Sequence, residues 1–399
     1  MKMLLAPAVI SICFIISLFS AFSFAATPGL YVNGRYLYDK CGSRIVLRGF
    51  NAMILYWDRP GTITYPEISK TGANCCRIFW GNANAGAAQE LDQTVTNCWA
   101  SHLIPIPSIW DATGDWSKLT QCVDWWCSAA ISAVVKKHEE HMIVNIANEA
   151  GDGAQSDADF RTAYTTAVTR LRAAGIHTPI LIDASGWGRK ESYIINNGRY
   201  LLDQDPDRNL LFAWHPYDPI SWNGTQARIK AAIDSMVARN ICCIVGEFAE
   251  CENGSTATTC AAGPCEWRYI MKYAHTHDIG WMPWVWWCCT DPHDAHTISS
   301  DKLYGHWANA PWGEAVAISD TYSVKNTAQR TVFIDSGACR ASKVAAPAVP
   351  CAPPKAAVLK SIAAYSISGR IVRGGMYARQ GVYCVIRNGK IERLVINAP

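Results

Sequence analysis

The sequence is poor in charge: 17% of its 399 residues are Asp, Glu, Lys or Arg. The formal net charge is +3, and the basic excess is local. From Ala357 onward there are 7 Lys or Arg against one Glu, about +6, so residues 1–356 carry about −3. That removes any reason to expect a nucleic-acid partner for the main part of the chain. No basic stop-transfer cluster follows the long apolar run at the N-terminus, which argues against a membrane anchor. No Gly-rich phosphate turn follows the first apolar strand: Gly49-Phe-Asn-Ala-Met is not one, which counts against an open nucleotide-binding sheet. His138-Glu-Glu-His141 falls one residue short of the zinc-protease spacing. The polar cluster Asp291-Pro-His-Asp-Ala-His296 reads more simply as a loop beside a cleft than as a cation site. Neither a metal nor a cofactor is expected.

Apolar and aromatic residues are plentiful. The chain is 50% hydrophobic and holds 17 Trp, enough for one large core plus a small appendage. Wide aromatic faces either fill a core or offer stacking platforms, for which the apolar C–H faces of sugars are suited. Lys2, the apolar stretch Leu4 to Phe24 and the small residues of Ser23-Phe-Ala25 read as an export leader over residues 1–25, cleaved near Ala25 or Ala26. The expected location is therefore extracellular. With Cys13 in the leader, 16 cysteines remain, an even number that fits disulfides. Cys251, Cys260 and Cys265 share a loop that two of them can staple. In the adjacent pairs Cys75-Cys76, Cys242-Cys243 and Cys288-Cys289, the strand period sends one member to each face.

Eight apolar stretches read as buried strands: Ile45–Asn51, Cys75–Trp80, Leu103–Trp110, Met142–Asn148, Pro179–Ala184, Leu210–His215, Cys242–Phe248 and Gly280–Trp287. Leu30 to Tyr38 reads as a hairpin ahead of them. Between them lie helical patterns, as in Asp157–Ala174 with Ser156 or Asp157 as cap and Gly175 as stop, and in Ser117–His138. Eight βα units predict an α/β fold, a (β/α)8 barrel, over residues 26–340, with its pattern fading near Asp320. Residues 341–357 are Pro- and Ala-rich and read as an extended linker. Residues 358–399 read as a small β module, with Asn388-Gly389 as a hairpin turn.

Strand ends build the mouth of such a barrel, and two of them carry carboxylates. His141-Met-Ile-Val-Asn-Ile-Ala-Asn-Glu149 ends in Asn148-Glu149, and Cys242-Cys-Ile-Val-Gly-Glu-Phe248 places Glu247 about a hundred residues on. Alone, an Asn-Glu pair more often just starts a loop. Two acids at strand ends suit chemistry that needs a carboxylic acid and a carboxylate facing one sugar. Other strand ends add Arg77, Trp110, His215, Tyr217 and the Trp cluster around Trp284. Arg77 and the Tyr217 hydroxyl are placed to keep Glu247 ionised by charge and hydrogen bonding. Glu149, paired less directly, stays protonated. Trp187 is either a platform beside the cleft or a buried prop for its loop.

The segments Val46-Leu-Arg-Gly-Phe-Asn51, Cys76-Arg-Ile78, Asp111-Ala-Thr-Gly114, Asn145-Ile-Ala-Asn-Glu149, Leu171-Arg-Ala-Ala-Gly175, Asp183-Ala-Ser-Gly-Trp-Gly188, His215-Pro-Tyr217, Gly246-Glu-Phe248 and Gly280-Trp-Met-Pro-Trp284 run in order through the chain. In this it resembles glycoside hydrolase family 5, and most the bacterial-type endo-β-1,4-mannanases. The resemblance implies a retaining, cofactor-free enzyme acting on a mannan-type polysaccharide, and a monomer is the default expectation for a polymer-cleaving barrel. It implies Glu149 as acid/base, Glu247 as nucleophile, and Arg77, Asn148, His215, Tyr217 and Trp284 around them, with Trp286 as the alternative to Trp284. An endo-β-1,4-glucanase and a non-catalytic polysaccharide binder are the competing expectations. Three positions depart from the family: Trp110 where a His usually stands, Ala150 after the Asn-Glu pair, and Val285 after Trp284. The pattern Ile367-Ser-Gly-Arg … Gly381-Val-Tyr … Gly389-Lys resembles C-terminal sorting domains of some Gram-negative secretion systems, which implies cell-surface delivery.

Overall fold

The computed structural model describes residues 29–81, 88–252, 260, 262–287, 296–309 and 311–339, and strands at 364–366, 371–372, 381–387 and 390–396. The expected leader, the linker, Cys288-Cys289, residues 291–295 and the Asn388-Gly389 turn lie outside them. The chain divides between Arg340 and Ala341 into two units.

In the first unit, eight parallel strands form one sheet in chain order: β1 (Gly49–Ala52), β2 (Cys75–Trp80), β3 (Ile104–Ile109), β4 (Val144–Asn145), β5 (Ile180–Asp183), β6 (Leu210–Trp214), β7 (Cys242–Val245) and β8 (Gly280–Trp281). A parallel bridge between Arg48 and Trp281 joins the first strand to the last and closes the barrel. Each strand is shorter than or equal to its apolar stretch, because pairing stops where the chain turns outward to build the mouth.

Alternation along the strands decides what goes where. Cys75, Ile104, Ile106, Ile143, Leu181, Leu211, Ala213, Cys242 and Ile244 point inward and pack as one apolar plug. Their neighbours Cys76, Val144, Ile182, Phe212, Trp214, Cys243 and Val245 face the helices in a second cluster. Each described adjacent cysteine pair therefore splits between the two clusters. Two residues beyond the plug the same inward face turns polar, with Asn51, Arg77, Ser108, Asn145, Asp183 and His215, all buried. That layer is the floor of the mouth.

The helix Asp157–Ala173 starts at a capping box between Ser156 and Asp159 and buries Phe160, Tyr164, Ala167, Val168 and Leu171. Gly175 follows at φ +79°, the left-handed turn that ends it. The single helix expected over Ser117–His138 is instead broken. Leu119–Cys127 and Ala129–Lys137 meet at Ser128, which is extended at ψ 144°. Its amide and its hydroxyl both donate to the Trp125 carbonyl, at 3.2 and 2.8 Å, so a side-chain bond competes with helix continuation.

The first unit also outlasts the fading of the barrel pattern near Asp320. Helix Val332–Ser336 buries Phe333 and Ile334 against the plug. Arg330 donates to the Ala73 and Ser69 carbonyls at 2.7 Å each, and Cys339 is disulfide-bonded to Cys41. The strands Tyr31–Asn33, Tyr36–Tyr38 and Arg44–Ile45 form a small antiparallel sheet whose Leu37 and Ile45 cover the same closed end. The second unit is an antiparallel sheet in the order 371–372, 364–366, 381–387, 390–396, with Arg387 opposite Lys390.

Candidate active site

Arg77 is fully buried on β2 and organises the floor. Its Nη1 donates to Glu247 Oε1 at 2.5 Å and Asn51 Oδ1 at 3.1 Å. Its Nη2 donates to Asn148 Oδ1 at 2.6 Å, Asn145 Oδ1 at 2.8 Å, Asp183 Oδ2 at 2.9 Å and Ser108 Oγ at 3.3 Å. A buried guanidinium is tolerated only with such complete pairing. Here its partners come from β1, β3, β4, β5 and the ends of β4 and β7, so one cation ties most of the barrel's circumference together.

The two glutamates meet above it. A carboxylate oxygen of Glu149, one of Glu247 and a ring nitrogen of His215 all lie within 4.8 Å of one another. His215 Nδ1 is 2.7 Å from Glu149 Oε1 and 3.6 Å from Glu247 Oε1. The Tyr217 hydroxyl donates to Glu247 Oε2 at 2.9 Å. Glu149 sits at φ +46°, a left-handed conformation that turns its side chain back over the mouth. Its amide donates to Asp183 Oδ2 at 3.1 Å, and its carbonyl accepts from the Gly114 amide at 3.0 Å. Gly188 and Gly246 flank His215 so closely that a Cβ at either would come within 2.5 or 2.6 Å of the ring. The imidazole is thus fixed from both sides.

The acids differ in what touches them. Burial pushes Glu149 up to about 8, with Asp183 adding to the effect while Arg77 and Arg189 oppose it. Burial also raises Glu247, but His215, the Arg77 guanidinium and the Tyr217 hydroxyl pull it back. Direct bonds from Arg77 and Tyr217 reach Glu247 alone, so Glu247 is the first of the pair to ionise. Burial lowers His215, while the neighbouring Glu247 and Asp183 carboxylates oppose that drop. Three such donors match a metal site in number, but a guanidinium 2.5 Å from Glu247 opposes a second cation there.

The carboxyls open into a cleft of about 260 Å³ lined by Phe79, Trp110, Thr113, Asn148, Trp187, Arg189, Tyr217 and Trp284. Every expected site residue except the alternative Trp286, and Arg77 and His215 in the floor beneath, lines this space. Trp286 is fully buried, packs on Phe50 at 4.9 Å and donates to the Lys302 carbonyl. Trp187 is 50% exposed, so it is a cleft wall and not a buried prop. Trp110 and Trp284 both stand edge-on to Phe79, at 4.9 and 4.4 Å, so the wall they form is apolar. His102 lies far from the cleft, with Nδ1 3.3 Å from the Ile334 carbonyl at the closed end. Of the loop cysteines, Cys251 and Cys260 are bonded and Cys265 is free and buried.

Strand ends alone miss part of the site. Asn51, Ser108, Asn145 and Asp183 lie on the inward face within the paired strands, before the chain leaves the sheet. A polar residue at an inward position of an otherwise apolar stretch was the available sign, most visibly Asn145 in Met142–Ala147.

A family model described as Cellulase (glycosyl hydrolase family 5) matches residues 117–289. The mannan endo-1,4-beta-mannosidase of Cellvibrio japonicus is 28% identical over 329 residues, 80% of this chain and 72% of that protein. The enzyme of the same name from Salipaludibacillus agaradhaerens is 26% identical, over 77% of this chain and 96% of its own. Among solved structures, the β-mannanase from Thermomonospora fusca superposes with a TM-score of 0.67 at 24% identity, covering 77% of this chain and 99% of that one, a likeness of fold.

Proposed function

Since the chain belongs to glycosyl hydrolase family 5, we propose that it is a retaining endo-β-1,4-mannanase. The observation that carries this reading is the meeting of Glu149 and Glu247 within 4.8 Å. That proximity suits a retaining pair, spaced by roughly 5–5.5 Å, and not an inverting pair, spaced by roughly 6.5–9.5 Å. Glu247, held ionised by Arg77 and Tyr217, attacks the sugar carbon and forms a glycosyl ester. Glu149 donates its proton to the departing oxygen, then takes one from the water that cleaves the ester. Asn148, fixed by Arg77 and by Thr113 at 2.9 Å, offers its amide to a sugar hydroxyl beside the reacting carbon. Trp284 floors the sugar that is attacked, and Trp187 stands beyond the acid.

The polymer is assigned from the relatives' activity. Reducing-sugar release from mannan against carboxymethyl-cellulose tests it: faster release from cellulose makes the enzyme a glucanase, and retention on insoluble mannan without product makes it a binder. Extracellular location is part of the proposal, supported by the disulfides Cys41–Cys339 and Cys251–Cys260, which persist in oxidising compartments. Fractionating an expressing culture for activity tests it.

A further inference from the structure

We propose that Trp222, together with Trp187 and Arg189, forms a second sugar-binding subsite on the leaving-group side of the cleft. The inference deepens the mannanase reading and rests on it. Trp222 ends a short 3-10 turn, Ile220–Trp222, in the loop after β6. It is 52% exposed and Trp187 is 50% exposed, an unusual state for two indoles on a soluble barrel.

Their positions are built, not incidental. Trp187 is held at φ +53° and Asn223, just after Trp222, at φ +68°. Gly224 passes so close to the Asp218 carbonyl that no side chain fits there. Arg189 pairs with Asp218, Asp218 pairs with Arg228, and Arg228 reaches Glu191 at 2.7 Å. This charge network ties the loop after β5 to the loop after β6. The Arg189 guanidinium lies 5.5 Å from the Trp222 ring while lining the cleft itself, so the exposed indole continues the cleft wall.

Direction follows from the barrel. Trp284 follows β8, and its amide donates to the carbonyl of Phe248, the residue after Glu247, at 2.9 Å. Trp187 lies against Gly114, whose amide donates to the Glu149 carbonyl, and Arg189 acts on the carboxyl of Glu149, the group that protonates the leaving oxygen; Trp222 continues from Arg189. A polymer crossing the two acids therefore lays its departing end over Trp187, Arg189 and Trp222. A sugar stacks its C–H face on an indole while the guanidinium donates to its hydroxyls.

The test compares Trp222→Ala with wild type on mannan and on 2,4-dinitrophenyl β-mannobioside, which places no sugar beyond the cleaved bond. The expected result is a fall in kcat/KM of about five- to tenfold on mannan, carried by KM, with the aryl substrate unchanged. Trp222→Phe is expected to restore most of the loss. An equal fall on both substrates, or no fall on mannan, overturns the subsite. Wild-type enzyme that releases nothing from mannan ends the underlying mannanase reading instead, which keeps the two failures apart.

Discussion

Glu149→Gln removes a titration without changing shape, and its effect on stability has a pH signature that follows from burial. The folded carboxyl titrates near 8 against an ordinary 4.5. Below pH 4.5 the group is protonated in both folded and unfolded chains and contributes nothing. Between 4.5 and about 8 the unfolded chain releases the proton while the folded chain keeps it, so stability falls as pH rises. Above about 8 the full cost is present, at most ~5 kcal/mol at 1.36 kcal/mol per pH unit. The amide of Glu149→Gln does not titrate and bears no such cost. At ~2.1 cal/mol/K per residue, a barrel this size gains about 1.5 °C for each kcal/mol. The Tm of Glu149→Gln should therefore match wild type near pH 4.5 and exceed it by up to ~7 °C at pH 8.5. Thermal unfolding of both proteins across that range is the assay. A Tm difference that stays constant or shrinks with rising pH refutes the claim that a buried, protonated Glu149 is what the site holds.

The same carboxyl sets the alkaline limb of activity: kcat/KM on mannan should fall as pH rises through about 8, and a limb set near 5 would reassign the acid. Glu247→Ala is expected to lose more than ~10³ of turnover while keeping its Tm within a few degrees, since it deletes the nucleophile but leaves Arg77 four polar partners and the charge of Asp183. Near-normal turnover would remove Glu247 from its role. Arg77→Met strands Asp183 and Glu247 without their cation and should cost about 3–5 kcal/mol in denaturant unfolding; a loss below ~1 kcal/mol would mean the floor does not depend on that ion. Trp110→His swaps an apolar wall for a polar one and should change KM on mannan by more than it changes Tm. The opposite pattern would make Trp110 a packing residue only.

The helix over Asp157–Ala173 was legible because its cap, its apolar face and its stop are all local. The break at Ser128 was not, because it depends on Ser128 reaching the Trp125 carbonyl while Trp126 docks on the Ile146 carbonyl, 20 residues away in the chain. The packing of the segment after Asp320, though assigned to the barrel domain, was not legible for a similar reason. Phe333 and Ile334 lack a repeating pattern of their own and are buried only because the closed end of the barrel has room for them.

Order along the chain determined the eight strands, the two strand-terminal glutamates and the stretch each belongs to, since period and punctuation act between near neighbours. Tertiary closure decided which inward polar residues meet. Arg77, Asn145, Asp183 and Glu247 are tens of residues apart, and only a closed barrel brings them onto one guanidinium. Closure also decided which glutamate keeps its proton. Ionisation depends on how much water and how much opposite charge reach each oxygen, and neither quantity exists until the walls are in place.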